Sequence, residues 1–268
     1  MTIIEGALGS ELEELPRLSL NARIRSAHAL ITREIAMRIM RGDYAEHSIL
    51  PNENVFIDEF RISRTALREA LKTLAAKGLI VSKTKIGTRV LPSAFWNMFD
   101  PQLLTWRIDL GIDADFLIKL FEVRQAIEPA GAAIAATRRA SEHIERMKQF
   151  LAAMNQPDHT RLSYAEPDLH FHQEVLRASG NAFFSSFSTI IEASILCAFQ
   201  ISAPIDSPER FAISIERHRL VLDSIVAGDA HRASEAMSQV ILEGIENAHF
   251  ALSKSPIAVS LPMPILAA

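Results

Sequence analysis

The chain has 268 residues, 49% hydrophobic and 22% charged, with a formal net charge of −4. That length suggests two domains, and the composition is that of an ordinary globular protein, which excludes disordered and collagen-like chains. The charge is segregated: residues 23–91 carry thirteen basic against seven acidic side chains, and residues 92–268 carry fourteen against twenty-one, so a basic region that suits a polyanion precedes an acidic one.

Residues 1–22 lack clean periodicity and read as a flexible arm, and Glu5, Glu11, Glu13 and Glu14 within it exclude a secretory signal. A helix follows from about Ser26 to Arg41, with apolar faces from Ala29, Ile31, Ile35, Ile39 and Met40, and Gly42 stops it. Leu50-Pro51 opens a short helix, because proline's missing N–H costs little in a first turn. Ser63 is an N-cap candidate for a third helix that ends before Gly78. Residues 79–81 and 89–91 read as two short strands around Lys83-Thr84-Lys85-Ile86-Gly87. Residues 23–91 are therefore expected to form a winged helix-turn-helix of three helices and a two-strand wing.

Residues 92–108 read as a linker, although Phe95, Trp96 and Phe99 suggest that it packs on a domain. From there to residue 252 helices are expected near 114–138, 141–154, 161–179, 182–202, 208–227 and 230–252. The expected fold is mainly α: the winged head joined to an all-α antiparallel helical bundle over 109–252. The lone Cys197 allows no intrachain disulfide, which fits a reducing cytoplasm, and its apolar neighbours suit a buried inert thiol. No uninterrupted apolar run reaches the roughly 18 residues of a membrane span. Residues 253–268 form a proline-broken tail, open to disorder or to packing as a strap.

The third helix carries the strongest signal. Leu67, Ala70, Leu71 and Leu74 make one apolar stripe, while Arg64 and Arg68, four apart, share another face in the first turns. A recognition helix presents its N-terminal residues to the major groove, where arginine bonds guanine or phosphate and Ser63 and Thr65 do so more weakly. The order helix, short helix, arginine-bearing helix, wing resembles the GntR family of bacterial regulators. The matching residues are Leu50-Pro51-Asn52-Glu53, Ile62-Ser63-Arg64-Thr65, Arg68-Glu69-Ala70-Leu71, Leu74, Gly78-Leu79-Ile80, Gly87-Thr88 and Val90. The resemblance implies DNA contacts at Arg64, Thr65 and Arg68 and a wing tip at Gly87 that enters the minor groove; Ser63, Lys85 and Thr88 complete the expected DNA-binding set. The basic residue common after the Leu-Pro-x-Glu stretch is Asn54 here, which places one usual contact in question.

The helical half resembles the FadR branch of that family, with its FCD-type ligand-binding domain, over roughly Asp109 to Ala248. The matching residues are Glu122-Val123-Arg124 with Ile127-Glu128-Pro129, Asp168 with Phe171-His172, Ser179-Gly180-Asn181, Glu216-Arg217-His218-Arg219, and Gly228-Asp229-Ala230 with Ala233. Within the family the chain resembles repressors of D-galactonate and related sugar-acid operons. Arg124 shares a stripe with Leu117, Leu120, Ile127, Gly131 and Ile134, and an arginine there cannot be buried unpaired. Its partner is either an acid of the chain, such as Glu128 or Glu122, or the carboxylate of a ligand. Asp168 and His172 leave one helix face, and His218 lies with Val221, Leu222 and Ile225 on the inner face of a later helix. This set suits one divalent metal, zinc or nickel, with positions open to an effector; the alternative is a hydrogen-bonded set that meets the effector directly. The resemblance also implies a third histidine 22 residues after His218, where this chain has Val240; His170, His231 and His249 do not fit the spacing.

The expected function is a cytoplasmic, homodimeric, ligand-responsive transcription regulator and not an enzyme. It would repress a sugar-acid or other organic-acid operon and leave operator DNA on binding its effector. The competing class is a small metalloenzyme using Asp168, His172 and His218, for which the sequence offers no clear general acid or base.

Overall fold

The structure is a computed structural model that describes residues 27–83, 86–138 and 140–253. The N-terminal arm, Lys85 and the tail beyond 253 lie outside the described residues. The rest divides after Gly111 into two units, each with its own core.

In the first unit, α1 (Ala27–Arg41), α2 (Glu53–Phe60) and α3 (Arg64–Ala76) are followed by β1 (Ile80–Lys83) and β2 (Gly87–Val90). Ser63 caps α3 through a bond from the Ala66 amide, 3.1 Å, and leaves one orphan donor of the first turn satisfied. The apolar stripe of α3 packs as the spacing requires: Leu67, Ala70 and Leu74 are buried against Ile35 of α1, Phe56 of α2 and Ile80 of β1. The strands pair antiparallel with Ile80 opposite Val90 and Lys83 opposite Gly87. Gly87 has φ 108°, and a Cβ there would stand 3.1 Å from a methyl of Ile49, so both conformation and space favour glycine at the wing.

Residues 92–108, expected as a linker, are structured instead. A 3-10 turn (Ser93–Phe95) leads to α4 (Pro101–Asp109), which Asp100 caps by accepting from the Leu103 amide at 3.0 Å. Leu103 and Trp106 enter the same core as Leu67 and Leu74. The buried Lys77 at the end of α3 adds a polar tie to that apolar packing. Its ammonium contacts both Asp100 oxygens at 2.6 and 2.7 Å and lies 5.4 Å from the centre of the Trp106 ring. A buried ammonium needs such partners, so the chain after the wing is drawn back onto the head.

The second unit holds α5 (Ala114–Arg138), α6 (Ser141–Met154), α7 (Arg161–Ala178), α8 (Ala182–Ser185), α9 (Ser188–Ile201), α10 (Pro208–Ala227) and α11 (Ala230–Ser253). These match the expected helices, except that 182–202 is broken into α8 and α9 around residues 186–187. Residues 182–206 are long and apolar enough by composition to cross a membrane, but Ile190, Ile191, Ala193, Ile195 and Cys197 are buried in the helical bundle. Gly131 lets α5 approach α7: a Cβ there would fall 2.4 Å from a Leu176 methyl. Pro129 and Pro167 sit inside α5 and α7, next to Glu128 and Asp168 respectively. Each removes one backbone hydrogen bond from its helix beside a buried carboxylate.

Asp100→Ala should lower the stability of the first unit by about 3–5 kcal/mol, because it deletes a helix cap and strands the Lys77 charge. Lys77→Met, which removes the charge but keeps the apolar stem, should cost far less. Denaturant unfolding of both variants checks this; equal losses would show that the ion pair is not what ties α4 to the head.

Candidate functional site

On the first unit the predicted residues Ser63, Arg64, Thr65, Arg68 and Gly87 are exposed, and Thr88 is half-buried. Arg64, Thr65 and Arg68 are exposed in the first turns of α3, behind the Ser63 cap. Arg64 Nη2 donates to Asn54 Oδ1 at 3.0 Å, and Arg68 Nε lies 3.7 Å from a Glu53 oxygen. Both partners belong to the first turn of α2. Gly87 and Thr88 begin β2, where the Thr88 hydroxyl pairs with that of Ser82 at 3.1 Å. Lys85 belongs to this set by sequence but lies outside the described residues.

In the second unit α5, α7 and α10 bring Arg124, Asp168, His172 and His218 into one buried cluster; none is more than 5% exposed. Arg124 Nε bonds Glu128 Oε1 at 2.5 Å, one helical turn away, so the internal partner weighed from the sequence is the one found. Glu122 is exposed. The other Glu128 oxygen accepts from His172 Nδ1 in a short contact. Arg124 Nη2 lies 3.2 Å from His172 Nε2, and its guanidinium sits 5.5 Å from the centre of the Phe121 ring. His218 donates from Nδ1 to the Ser214 carbonyl at 2.7 Å, while its Nε2 lies 3.2 Å from Asp168 and 3.3 Å from His172 Nε2.

The electrostatics follow from burial and pairing. Burial would push the Glu128 carboxyl up, but the charges of Arg124 and His172 outweigh it and hold the group down at about 2. Burial acts the same way on Asp168, where the His218 hydrogen bond prevails and lowers its pKa. Burial disfavours the His218 cation, yet the Asp168 bond and charge raise its pKa. Desolvation drives the Tyr164 phenol upward; its hydroxyl lies 3.0 Å from that of Ser214.

The donor set can be tested for a metal. Three atoms, one each from Asp168, His172 and His218, lie within 4.8 Å of one another. Each imidazole has Nδ1 engaged by an acceptor, which leaves Nε2 facing the shared space. Such outer partners fix the tautomer a metal-ligating histidine needs. The residues therefore fit a three-ligand site. Val240 lines the same cavity and offers no donor, and Arg124 competes for the His172 Nε2 lone pair. The cavity is about 40 Å³, room for a few waters and not for a six-carbon acid without movement of its walls.

The sequence reading missed several polar members, Tyr164, Ser214 and Glu243 among them. Tyr164 and Ser214 stand four residues before Asp168 and His218, a spacing that could have revealed them. Glu243 lines the cavity from α11, three residues past Val240, and pairs with Arg217 at 2.8 Å. His170 is directed elsewhere, stacked on Phe150, and His231 is exposed beside Glu235. The His249 side chain lies outside the described residues.

Residues 29–90 match the bacterial regulatory proteins of the gntR family, and residues 119–243 match the FCD domain. The uncharacterized HTH-type transcriptional regulator YieP of Escherichia coli is 30% identical over 79% of this chain and 91% of its own length. The chain belongs to the GntR family of transcription regulators. The E. coli galactonate operon transcriptional repressor is 28% identical over 77% of this chain and 90% of its own. A putative L-lactate dehydrogenase operon regulatory protein of E. coli is 31% identical over 70% and 73%. Among solved structures, Listeria monocytogenes Lar, described as controlling expression of the agr system, shares the fold at TM-score 0.55 and 15% identity, over 85% of this chain and 99% of that one. The winged head and the FCD-type helical domain of this GntR regulator are thus the two expected from the sequence.

Glu128→Ala should cost this regulator about 3–5 kcal/mol, because it leaves the Arg124 charge buried without a counterion. Replacing both members, Arg124→Met with Glu128→Met, should cost less than the single change. Denaturant unfolding of the second unit's transition measures both. A loss below ~1 kcal/mol in Glu128→Ala would mean that water reaches Arg124 and that the cluster is not sealed.

Proposed function

We propose that this GntR regulator is a homodimeric repressor of an organic-acid operon, with a sugar acid such as an aldonate as effector. The observation that carries the reading is Arg124: a buried guanidinium on the wall of a cavity shared with Asp168, His172 and His218. A guanidinium binds carboxylate in a fork, and the carboxylate–imidazole set is suited to hydroxyls. The galactonate operon repressor among its relatives supports the effector class. Because Arg124 is already bonded to Glu128, an effector carboxylate must compete for it, and the walls of the small cavity must move. That requirement is what lets binding shift the protein between states.

The same three donors would hold one divalent ion, zinc or nickel, with positions left for the effector's oxygens. Bound there, the ion would act as a Lewis acid toward those oxygens. Ser63, Arg64, Thr65 and Arg68, with Lys85, Gly87 and Thr88 of the wing, would contact operator DNA. Two heads are needed because one recognition helix reads too few bases for a unique site. Effector and operator favour different arrangements, so their affinities are coupled reciprocally, typically by ~1–3 kcal/mol. We read the chain as a regulator in the cytoplasm and not as a metalloenzyme, since its relatives are transcription regulators.

Gel shifts with the DNA upstream of the protein's own gene test the head. Arg64→Ala and Arg68→Ala should each weaken binding, by roughly 1–3 kcal/mol where a base contact is lost, and wild-type binding should fall steeply with salt. Wild-type affinity in both variants would place the reading surface elsewhere. For the helical domain, Arg124→Lys keeps a cation for Glu128 but loses the planar fork. It should bind operator normally yet need about tenfold more sugar acid for release; an unchanged response would confine Arg124 to the ion pair. Elemental analysis of purified protein should find metal that falls toward zero in His172→Ala. Equal metal in both would remove the ion from the proposal.

A further inference from the structure

The DNA-reading face contains a residue whose role the contacts above leave unused. We propose that Asn54 sets the base preference of Arg64 by holding its guanidinium, acting as a positioning residue that does not itself touch DNA; this rests on α3 being the reading helix. Arg64 is exposed on the first turn of α3, and a free arginine there would sample many rotamers. Its Nη2 donates instead to Asn54 Oδ1 at 3.0 Å. The backbone of the anchor is itself held. The Asn54 backbone N–H donates to Asn52 Oδ1 at 3.1 Å, and Phe56, two residues on, is 1% exposed in the core of the head. One guanidinium nitrogen is thus committed to the protein, while the remaining donors are left to form the two-pronged contact that discriminates a base.

The residue type matters. The asparagine side-chain oxygen accepts a hydrogen bond, whereas lysine or arginine at position 54 has no acceptor and would repel Arg64. Glu53, the preceding residue, treats Arg68 differently. Its carboxylate is 3.7 Å from Arg68 Nε, an exposed ion pair of little strength that a phosphate can replace. Adjacent residues of α2 therefore give the two arginines different constraints: a directed hydrogen bond for Arg64 and a loose charge contact for Arg68.

The test is selection of binding sites from a random duplex pool by the full-length protein, read as base preference at each position of the half-site. Arg64→Ala should erase the preference at one position. Asn54→Ala should weaken the preference at that same position about three- to tenfold, the effect of one lost hydrogen bond, and should add nothing in the double variant. Asn54→Asp keeps the acceptor but has no amide donors. It should retain the preference while lowering affinity for every sequence, because a carboxylate approaches the phosphates. If Arg64→Ala changes the selected site and Asn54→Ala does not, the inference fails and the reading helix stands. If Asn54→Ala alters a different position, or Asn54→Asp loses the preference, Asn54 touches DNA directly and the positioning role is overturned. If Arg64→Ala changes nothing, both the inference and the reading of α3 fall together.

Discussion

A guanidinium that is 5% exposed persists in an apolar helical bundle only beside a carboxylate that is buried as well. In this regulator that carboxylate is Glu128, and the arrangement of the helical domain around it follows. Glu128 has two oxygens and uses both, one on Arg124 and one on His172. The imidazole so held turns its other nitrogen toward His218, which in turn is anchored by the Ser214 carbonyl and by Asp168. One turn of α5 thereby orders side chains on α7 and α10. Within the cluster Arg124 is paired with Glu128 and His218 with Asp168, beside a cavity too small for much water.

The same pairing bears on the proposed response to a ligand. An anion that enters must offer Arg124 at least what Glu128 already provides, and a metal must displace Arg124 from the His172 nitrogen. Either event redistributes partners among α5, α7 and α10. Charged partners in a low-dielectric interior exchange in discrete steps, since intermediate states leave a charge unpaired. In the first unit the buried Lys77–Asp100 pair has a comparable place. It joins the end of α3 to the start of α4.

Much of this was legible in the sequence because two periodicities were strong. The stripe Leu67, Ala70 and Leu74 placed α3, and the long apolar repeats placed α5 and α11 nearly to the residue. The set Asp168, His172 and His218 was legible as well, since four-residue spacing and an inner face leave few other arrangements. What escaped had physical reasons. Asp100-Pro101 reads as a loop signal, yet it is equally a cap followed by a first-turn proline, and tertiary partners, the buried Lys77 and the core around Leu103 and Trp106, decide between them. The break at residues 186–187 lies in a run of phenylalanine and serine with no glycine or proline to mark it. The partner of Arg124 stayed open between Glu122, Glu128 and a ligand, although only Glu128 shares its helix face at four residues' spacing. Glu243 was missed because it enters the cavity from a helix whose candidate position, Val240, is apolar.

The proposed link is between organic-acid binding in the buried cluster of the helical domain and DNA binding. It is tested most directly by calorimetric titration of a panel of aldonates into the metal-supplemented protein, once free and once saturated with operator duplex. At least one aldonate should bind the free protein and bind the operator complex at least about fivefold more weakly, the lower end of typical allosteric coupling. Equal affinity for the two forms, or no binding by any member of the panel, would contradict it.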